Sequence, residues 1–315
     1  MLNDPNLVKK KRIVDHILGH PRRQGQEYLY ECRCCDHHKK KLSVNFIKNV
    51  AKCWVCDWKT INLRRLVRRW GNFKHIRDWK EFDSDMQVGE LETIFQKETT
   101  TTQRIDLPLE FKTLSGTNHP KTALRALKYL RDRGITKEDI LYWKIGYCSS
   151  GDYASRIILP SFNEEGYCNY FTARTYEDRA WPPYLNGPGS KDIIFNDLLI
   201  DWESEVTLVE GVFDAIVAED NAIPLLGSTL REDSLLFKKI VLNDTPVLLG
   251  LDHDAQKKAM WLIKAMLAHD IEVRLMDTSG YKDIGEMPRE VFQKRKQEAA
   301  FIDSDTYLLK IALLA

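Results

Sequence analysis

One stretch, Val206 to Leu275, constrains the fold more than any other. Val206-Thr-Leu-Val209 is an apolar run of strand length that stops abruptly at Glu210-Gly211. A short apolar run bounded by glycine predicts a buried strand of a parallel sheet. A helical pattern follows through Ile216 to Glu219, with Asp214 one turn beyond Glu210. A second buried run, Val247 to Leu251, stops at Asp252-His-Asp254. The spacing then predicts a helix over Ala255 to His269 and a third strand over Ile271 to Met276. Strands and helices alternating in this order predict a doubly wound α/β sheet with right-handed crossovers. Such sheets bind ligands beyond the carboxyl ends of their strands. Glu210, Asp252 and Asp254 all fall there.

Three carboxylates gathered at one sheet edge repel one another unless a cation lies between them. Oxygen donors with room for water and phosphate suit Mg2+ or Mn2+. Aspartate is also a good helix cap, and Asp254 directly before Ala255 fits that role. Capping explains neither Asp252, two residues earlier, nor Glu210 at a separate strand end. The metal reading therefore accounts for more of the pattern.

Seven cysteines, four of them in two close pairs, suggest metal rather than disulfides. Cys32-Arg-Cys-Cys35 and Cys53-Trp-Val-Cys56 are separated by seventeen residues. Two such knuckles supply four thiolates for one structural Zn2+. Cys34 competes with Cys35 for a place in that set, as do His37 and His38, although the two-residue spacing favours Cys35. Tyr28 to Glu31 and Leu42 to Phe46 read as strands around a Lys39-Lys-Lys41 turn. A module this small has little core, so the metal is expected to hold it together. Trp54 and Trp58 stand beside Lys52 and Lys59, a mixture suited to stacking unpaired bases and neutralising phosphates. Packing of Trp54 against the metal site is the alternative. Leu63 to Trp70 is a basic amphipathic helix with Leu63, Leu66, Val67 and Trp70 on its apolar stripe.

Charge separates the two ends of the chain. Residues 1–82 hold 20 Lys or Arg against 8 Asp or Glu, an excess of 12 positive charges. The whole chain is only +1, so the remainder carries an excess of 11 negative charges. A basic N-terminal third is the electrostatic footprint of a nucleic-acid partner. At 315 residues the chain has room for two or three domains. No apolar run reaches membrane-spanning length, so no membrane partner is expected. The first residues lack a signal-peptide pattern, which leads to the expectation of a cytoplasmic protein.

Between these regions the pattern breaks and then resumes. From Glu81 to about Asn118 periodicity is lost, and a linker is expected. Leu124 to Arg133 reads as a helix closed by Gly134. Ile135 to Ile140 reads as another, with Thr136 as its cap. Arg156 to Pro160 and Tyr170 to Arg174 flank Glu164-Glu-Gly166 as a hairpin, and Tyr184-Leu-Asn186 follows.

Glu210-Gly-Val-Phe-Asp214, Leu226-Gly-Ser-Thr-Leu230 and Asp252-His-Asp254, in that order and spacing, resemble the Toprim domain shared by primases, topoisomerases and some nucleases. The run from Leu127 to Phe195 is similar to the catalytic core of bacterial-type DNA primases, including the stand-alone primases of some phages. It carries Tyr129-Leu-x2-Arg133-Gly-Ile135, Ile145-Gly-Tyr147, Arg156-Ile-x2-Pro160 and Pro182-x-Tyr-Leu-Asn186. With the cysteine module in front, the resemblance covers Tyr28 to about Met287. It implies a Toprim-type doubly wound sheet with an α+β N-terminal subdomain, preceded by a small zinc-ribbon domain. The expected boundaries are 1–82 for the zinc module, 83–118 for the linker, 119–202 and 203–287 for the two catalytic subdomains, and 288–315 for a helical tail.

The resemblance also implies roles. Glu210, Asp252 and Asp254 would hold two or more divalent ions, with Asp214 and Asp283, the latter in Gly280-x-Lys-Asp283, assisting. Arg156, Arg174, Asn186 and Lys191 would contact nucleotide or template, and Trp54 and Lys52 the template. For the two arginines the alternative is a surface salt bridge. The chain departs from the family at Pro183, where a lysine is common, and at Asn196 or Asp197, where a second one is. Lys191 would supply the missing charge. Implied partners are single-stranded DNA, ribonucleoside triphosphates and, since no Gly-x4-Gly-Lys-Ser/Thr loop occurs, a separate replicative helicase. A Toprim nuclease and a non-catalytic zinc-ribbon DNA binder are the rival readings.

Overall fold

The computed structural model describes residues 4–35, 39–56, 58–60, 62–80, 103–177, 180–227, 230–252, 255–269 and 271–314. The chain divides into two compact units, Met1–Thr99 and Thr100–Ala315.

The first unit is built on an antiparallel meander. Its strands β1 (Arg22–Gln24), β2 (Glu27–Tyr30), β3 (Leu42–Asn45), β4 (Val50–Cys53) and β5 (Lys59–Thr60) lie side by side in chain order. The register pairs Tyr28 with Val44, Tyr30 with Leu42, and Leu42 with Cys53, so one face is apolar. On the other face Ser43 and Asn45 are also buried, and Glu27 accepts a hydrogen bond from each (2.6 and 2.7 Å). Helix Leu63–Trp70 starts at Asn62, whose side chain accepts from the Arg64 amide. It buries Leu63, Leu66 and Val67, as its stripe dictates, each worth about 2 kcal/mol of apolar transfer. Helix Pro5–Leu18 was not legible in the sequence. Only Ile13, Val14 and Ile17 are buried on it, among lysines and histidines, too narrow a stripe to recognise.

The second unit contains two sheets. The first is wholly antiparallel: β6 (Phe111–Thr113), β7 (Gly146–Cys148), β8 (Arg156–Phe162), β9 (Cys168–Thr175) and β10 (Tyr184–Asn186), in the order β10-β9-β8-β7-β6. The expected β8–β9 hairpin is present, with Gly166 at φ +84° in its turn. Helix Lys121–Asp132 packs Ala123, Ala126 and Leu130 inward. Thr136 caps helix Lys137–Tyr142 through a reciprocal pair with Asp139. The edge strand β6 lies inside the stretch assigned to the linker, because a three-residue strand is too short to show a period.

The second sheet has the order β12-β11-β13-β14-β15, formed by β11 (Val206–Val209), β12 (Ala222–Pro224), β13 (Val247–Leu249), β14 (Val273–Leu275) and β15 (Ala300–Ile302). The first four run parallel and β15 is antiparallel to β14. Helices Leu235–Asn243 and Gln256–Ala268 pack on one face through Phe237, Ile240, Ile263 and Met266. Helix Val212–Val217 and Phe292 of helix Arg289–Glu298 fill the other face, a core shared with Ile157, Leu159 and Tyr170 of the antiparallel sheet. The sheet is therefore covered on both sides, as a parallel sheet requires. Neither β12, helix Leu235–Asn243 nor β15 was legible in the sequence, and β15 draws part of the expected tail into the sheet. Among the described residues no helix is long and apolar enough to cross a membrane.

Candidate active site and metal centre

In the first unit the cysteine pairs converge. The sulfurs of Cys32, Cys35, Cys53 and Cys56 all lie within 4.8 Å of one another. Cys32 to Cys56 and Cys35 to Cys53 are each 3.8 Å apart. A tetrahedron with Zn–S bonds of about 2.3 Å has S–S edges of about 3.8 Å, so the four residues fit one zinc ion. The Cys34 and Val55 amides donate to the sulfurs of Cys32 and Cys53 (both 3.4 Å), the turn geometry of two knuckles. Cys34 is exposed and stands apart from the cluster, 3.6 Å from the Arg69 guanidinium. His37 and His38 lie outside the described residues. Trp54 is 65% exposed, with the Lys52 ammonium 4.7 Å from the centre of its ring. Trp58, in contrast, is tucked against Trp70, with ring centroids 4.4 Å apart.

In the second unit a cavity of about 470 Å³ opens at the carboxyl ends of β11 and β13. These strands are neighbours, while the chain leaves β11 toward β12 on its other side. That is the topological switch point where doubly wound sheets bind ligands. Glu210 and Asp252 line the cavity from the strand ends, joined by Asp214 and Asp283. Arg174, Asn186 and Lys191 face them from the antiparallel sheet and the loop that follows it. Asp254 lies outside the described residues, as do Ser228 and Thr229 of the Leu226–Leu230 motif.

The four acids are not equivalent. Glu210 has a buried Oε1 that accepts no hydrogen bond among the described residues, with the Lys258 ammonium 4.0 Å away. A hard oxygen donor left in this state fits a divalent cation, and Asp252 on the adjacent strand end supplies another. Asp214 is buried, and both of its oxygens are used: Oδ2 accepts from the Gly211 amide (2.7 Å) and Oδ1 from the Gly285 amide (2.8 Å). A Cβ on either glycine would lie 3.0 Å from the carboxylate, so these positions need a residue that lets backbone approach closely. Burial pushes the Asp214 carboxyl up to about 6, with Asp283 and Glu210 adding repulsion against the two amides. Asp283 accepts from the Glu286 amide at 3.0 Å and caps the short turn Ile284–Glu286. Asp214 and Asp283 thus brace the floor of the site through backbone amides, which fits one of the two roles expected of them, support behind the metal ligands, the other being ligands of a second ion.

The two arginines also part company. Arg174 donates through Nε to the Tyr129 hydroxyl (2.9 Å) and lies 4.7 Å from the centre of the Tyr184 ring. Arg156 does not reach the cavity. It is buried, and its guanidinium donates to the carbonyls of Pro182 (2.8 Å), Pro183 (3.3 Å) and Ala173 (3.5 Å). Burial, with Arg174 nearby, lowers its pKa. The expected phosphate contact is therefore a clamp on the loop before β10. Lys191 donates to the Leu226 carbonyl at 3.2 Å, and Asn186 accepts from the Thr172 hydroxyl at 2.9 Å.

Three cations here escaped the sequence reading. Arg133 lines the cavity with its guanidinium 5.0 Å from the rings of both Tyr129 and Phe213. Its place beside Gly134 gave it the look of a helix-end residue. Lys282 lines the cavity from within the Gly280–Asp283 element. Lys258 follows Asp254 by four residues on helix Gln256–Ala268, and that one-turn spacing was the available signal.

No family model matches the chain. In an alignment of 291 positions that takes in 72% of this chain, it is 23% identical to a DNA primase of Listeria innocua, of which it covers 46%. In an alignment of 198 positions that takes in 56% of this chain, it is 26% identical to a DNA primase of Thermotoga maritima, covering 33% of that protein. The resemblance is to the bacterial DNA primases. The chain spans about half or less of the length of the primases it matches. Its fold is similar to that of the DnaG primase catalytic domain bound to single-stranded DNA, with a TM-score of 0.52 at 17% identity over 71% of this chain and 82% of that one. A DNA primase domain from Pseudomonas aeruginosa gives a TM-score of 0.50 at 20% identity, over 63% of this chain and 78% of that domain. The fold is thus that of a primase catalytic domain, with a four-cysteine module in the preceding unit.

Proposed function

We propose that this chain is a DNA primase that joins ribonucleotides on a single-stranded DNA template. The observation that carries this reading is the meeting of Glu210 and Asp252, from adjacent strand ends, with Arg174 and Lys191 across one cavity. Acids on one wall and cations on the other suit a metal-bound triphosphate held by both. Glu210 and Asp252, joined by Asp254, are the residues to hold Mg2+ or Mn2+. Such ions would neutralise charge as it builds on the attacked phosphate. Arg174, Lys191 and Arg133 hold phosphate oxygens, and Asn186 orients sugar or base. The attacking 3′-hydroxyl belongs to substrate, so the chain needs no nucleophile of its own. In this reading the basic cysteine module, with Trp54 over Lys52, grips the template, and a separate helicase delivers that template.

The test is incubation of the chain with single-stranded DNA, Mg2+ and labelled ribonucleoside triphosphates. Short RNA products are expected. Shortened DNA without RNA would identify a nuclease instead, and neither product a binding protein.

A further inference from the structure

We propose that Trp181, together with Tyr184, forms a stacking surface for a nucleobase at the rim of the acid cavity; this rests on the reading above that the cavity handles nucleotides. Trp181 is 87% exposed, more than any other tryptophan among the described residues. An isolated exposed aromatic means little. Its setting is what gives this one a role.

The loop that carries Trp181 is held from behind. Arg156, itself buried, donates to the carbonyls of the next two residues, Pro182 and Pro183. Those prolines fix their own φ angles. A buried guanidinium is thus committed to holding a three-residue approach to β10, while the indole at its head touches solvent. Three residues on, Tyr184 lines the cavity with Arg174 against its ring. Arg174 is in turn held by the Tyr129 hydroxyl. Three residues of chain reach about 10 Å at most, which keeps the backbone of Trp181 within that distance of Tyr184 at the cavity wall.

Aromatic faces beside fixed cations are how proteins hold unpaired bases without regard to sequence. The resemblance noted above places a lysine just ahead of Tyr-Leu-Asn, and here that position is Pro183. The occupant is a nucleobase, from either the template strand or the incoming ribonucleotide.

The full chain and its Trp181→Ala and Trp181→Phe variants are titrated, without Mg2+, against fluorescein-labelled oligothymidine and separately against ATP. Loss of a stacked base predicts about tenfold weaker binding by Trp181→Ala, or ~1.4 kcal/mol. Trp181→Phe, which keeps an aromatic face, should recover most of it. A loss confined to the oligonucleotide assigns the shelf to the template, and a loss confined to ATP assigns it to the incoming nucleotide. Wild-type affinity of Trp181→Ala for both probes overturns the proposal, as does an equal loss in both variants with a lowered melting temperature. Because binding is read without turnover, a chain that makes no RNA but loses oligonucleotide affinity on Trp181→Ala would sink the primase reading and leave the shelf standing.

Discussion

The cysteine cluster and the carboxylate cavity are both sets of like-charged ligands drawn together by a sheet, yet they are assembled differently. The cysteines come from two loops of one small meander, seventeen residues apart, and all four sulfurs reach the cluster. The carboxylates come from separate strand ends of a crossover sheet. Of the four described, two have turned to backbone amides: Asp214 to Gly211 and Gly285, Asp283 to Glu286. In the first region all four sulfurs are placed to fit one ion. In the second, two of the four described acids are engaged with backbone amides, which in the proposed reading leaves Glu210 and Asp252 to meet the metal.

That difference predicts different failures. Cys53→Ser should do most damage. A structural zinc contributes roughly 10 kcal/mol or more at pH 7, comparable to the whole stability of a small domain. Zinc content should fall and the signal of the N-terminal unit's fold should be lost, while the second unit keeps its melting transition. Unchanged zinc content would show that the ligand set is wrong. Asp252→Ala should instead leave the fold intact and remove most activity, about a thousandfold for several kcal/mol of lost charge stabilisation. Oligonucleotide binding by that variant should persist. If it makes primers at the normal rate, the two regions do not differ in the way described.

Asp214 sharpens the contrast because its cost is paid in folding. Its carboxyl lies at about 6 instead of 3.8, chiefly through burial. The folded chain then holds a proton that the unfolded chain releases, so stability is fullest below pH 4 and declines as pH rises through 6. A shift of this size amounts to roughly 3 kcal/mol. Urea unfolding of the metal-free chain at pH 4, 5, 6 and 7 should show that decline, and Asp214→Asn should flatten it. The substitution also loses an acceptor for one amide, so the slope with pH is the readout and not the absolute stability. An unchanged slope in the variant would return Asp214 to the metal-binding set.

Much of this was legible in the chain. The cysteine spacing, the acid-ended strands, the Thr136 cap and the Gly166 hairpin are local patterns, and local patterns survive without knowledge of the fold. What stayed hidden was set by pairing over distance. β12 and β15 are three-residue strands with no period of their own, stabilised only by their neighbours. Arg133 reaches the cavity because Tyr129 and Phe213 stand on either side of it, a contact across eighty residues. Nothing near Asp214 announced that the Gly285 amide would claim one of its oxygens.

Arg156 and Arg174 compress the same lesson into one hairpin. Both sit on adjacent strands with the same chemistry, and the sequence suggested the same task. The register decides otherwise: Ile157 pairs with Arg174, and Arg156 with Thr175. Paired residues share a face and successive ones alternate, so the two arginines point to opposite sides of the sheet. Arg174 shares its side with Ile157, toward the acids; Arg156 shares its side with Ile158 and Ala173, behind them. Arg174→Ala should therefore raise the KM for ribonucleotides by about ten- to a hundredfold, the worth of a charge-assisted contact, with little change in melting temperature. Arg156→Ala should lower stability by about 1 to 3 kcal/mol through the carbonyls it strands, and affect nucleotide binding only through the loop it holds. Matching effects of the two variants on KM, at equal stability, would mean that the register does not separate their roles.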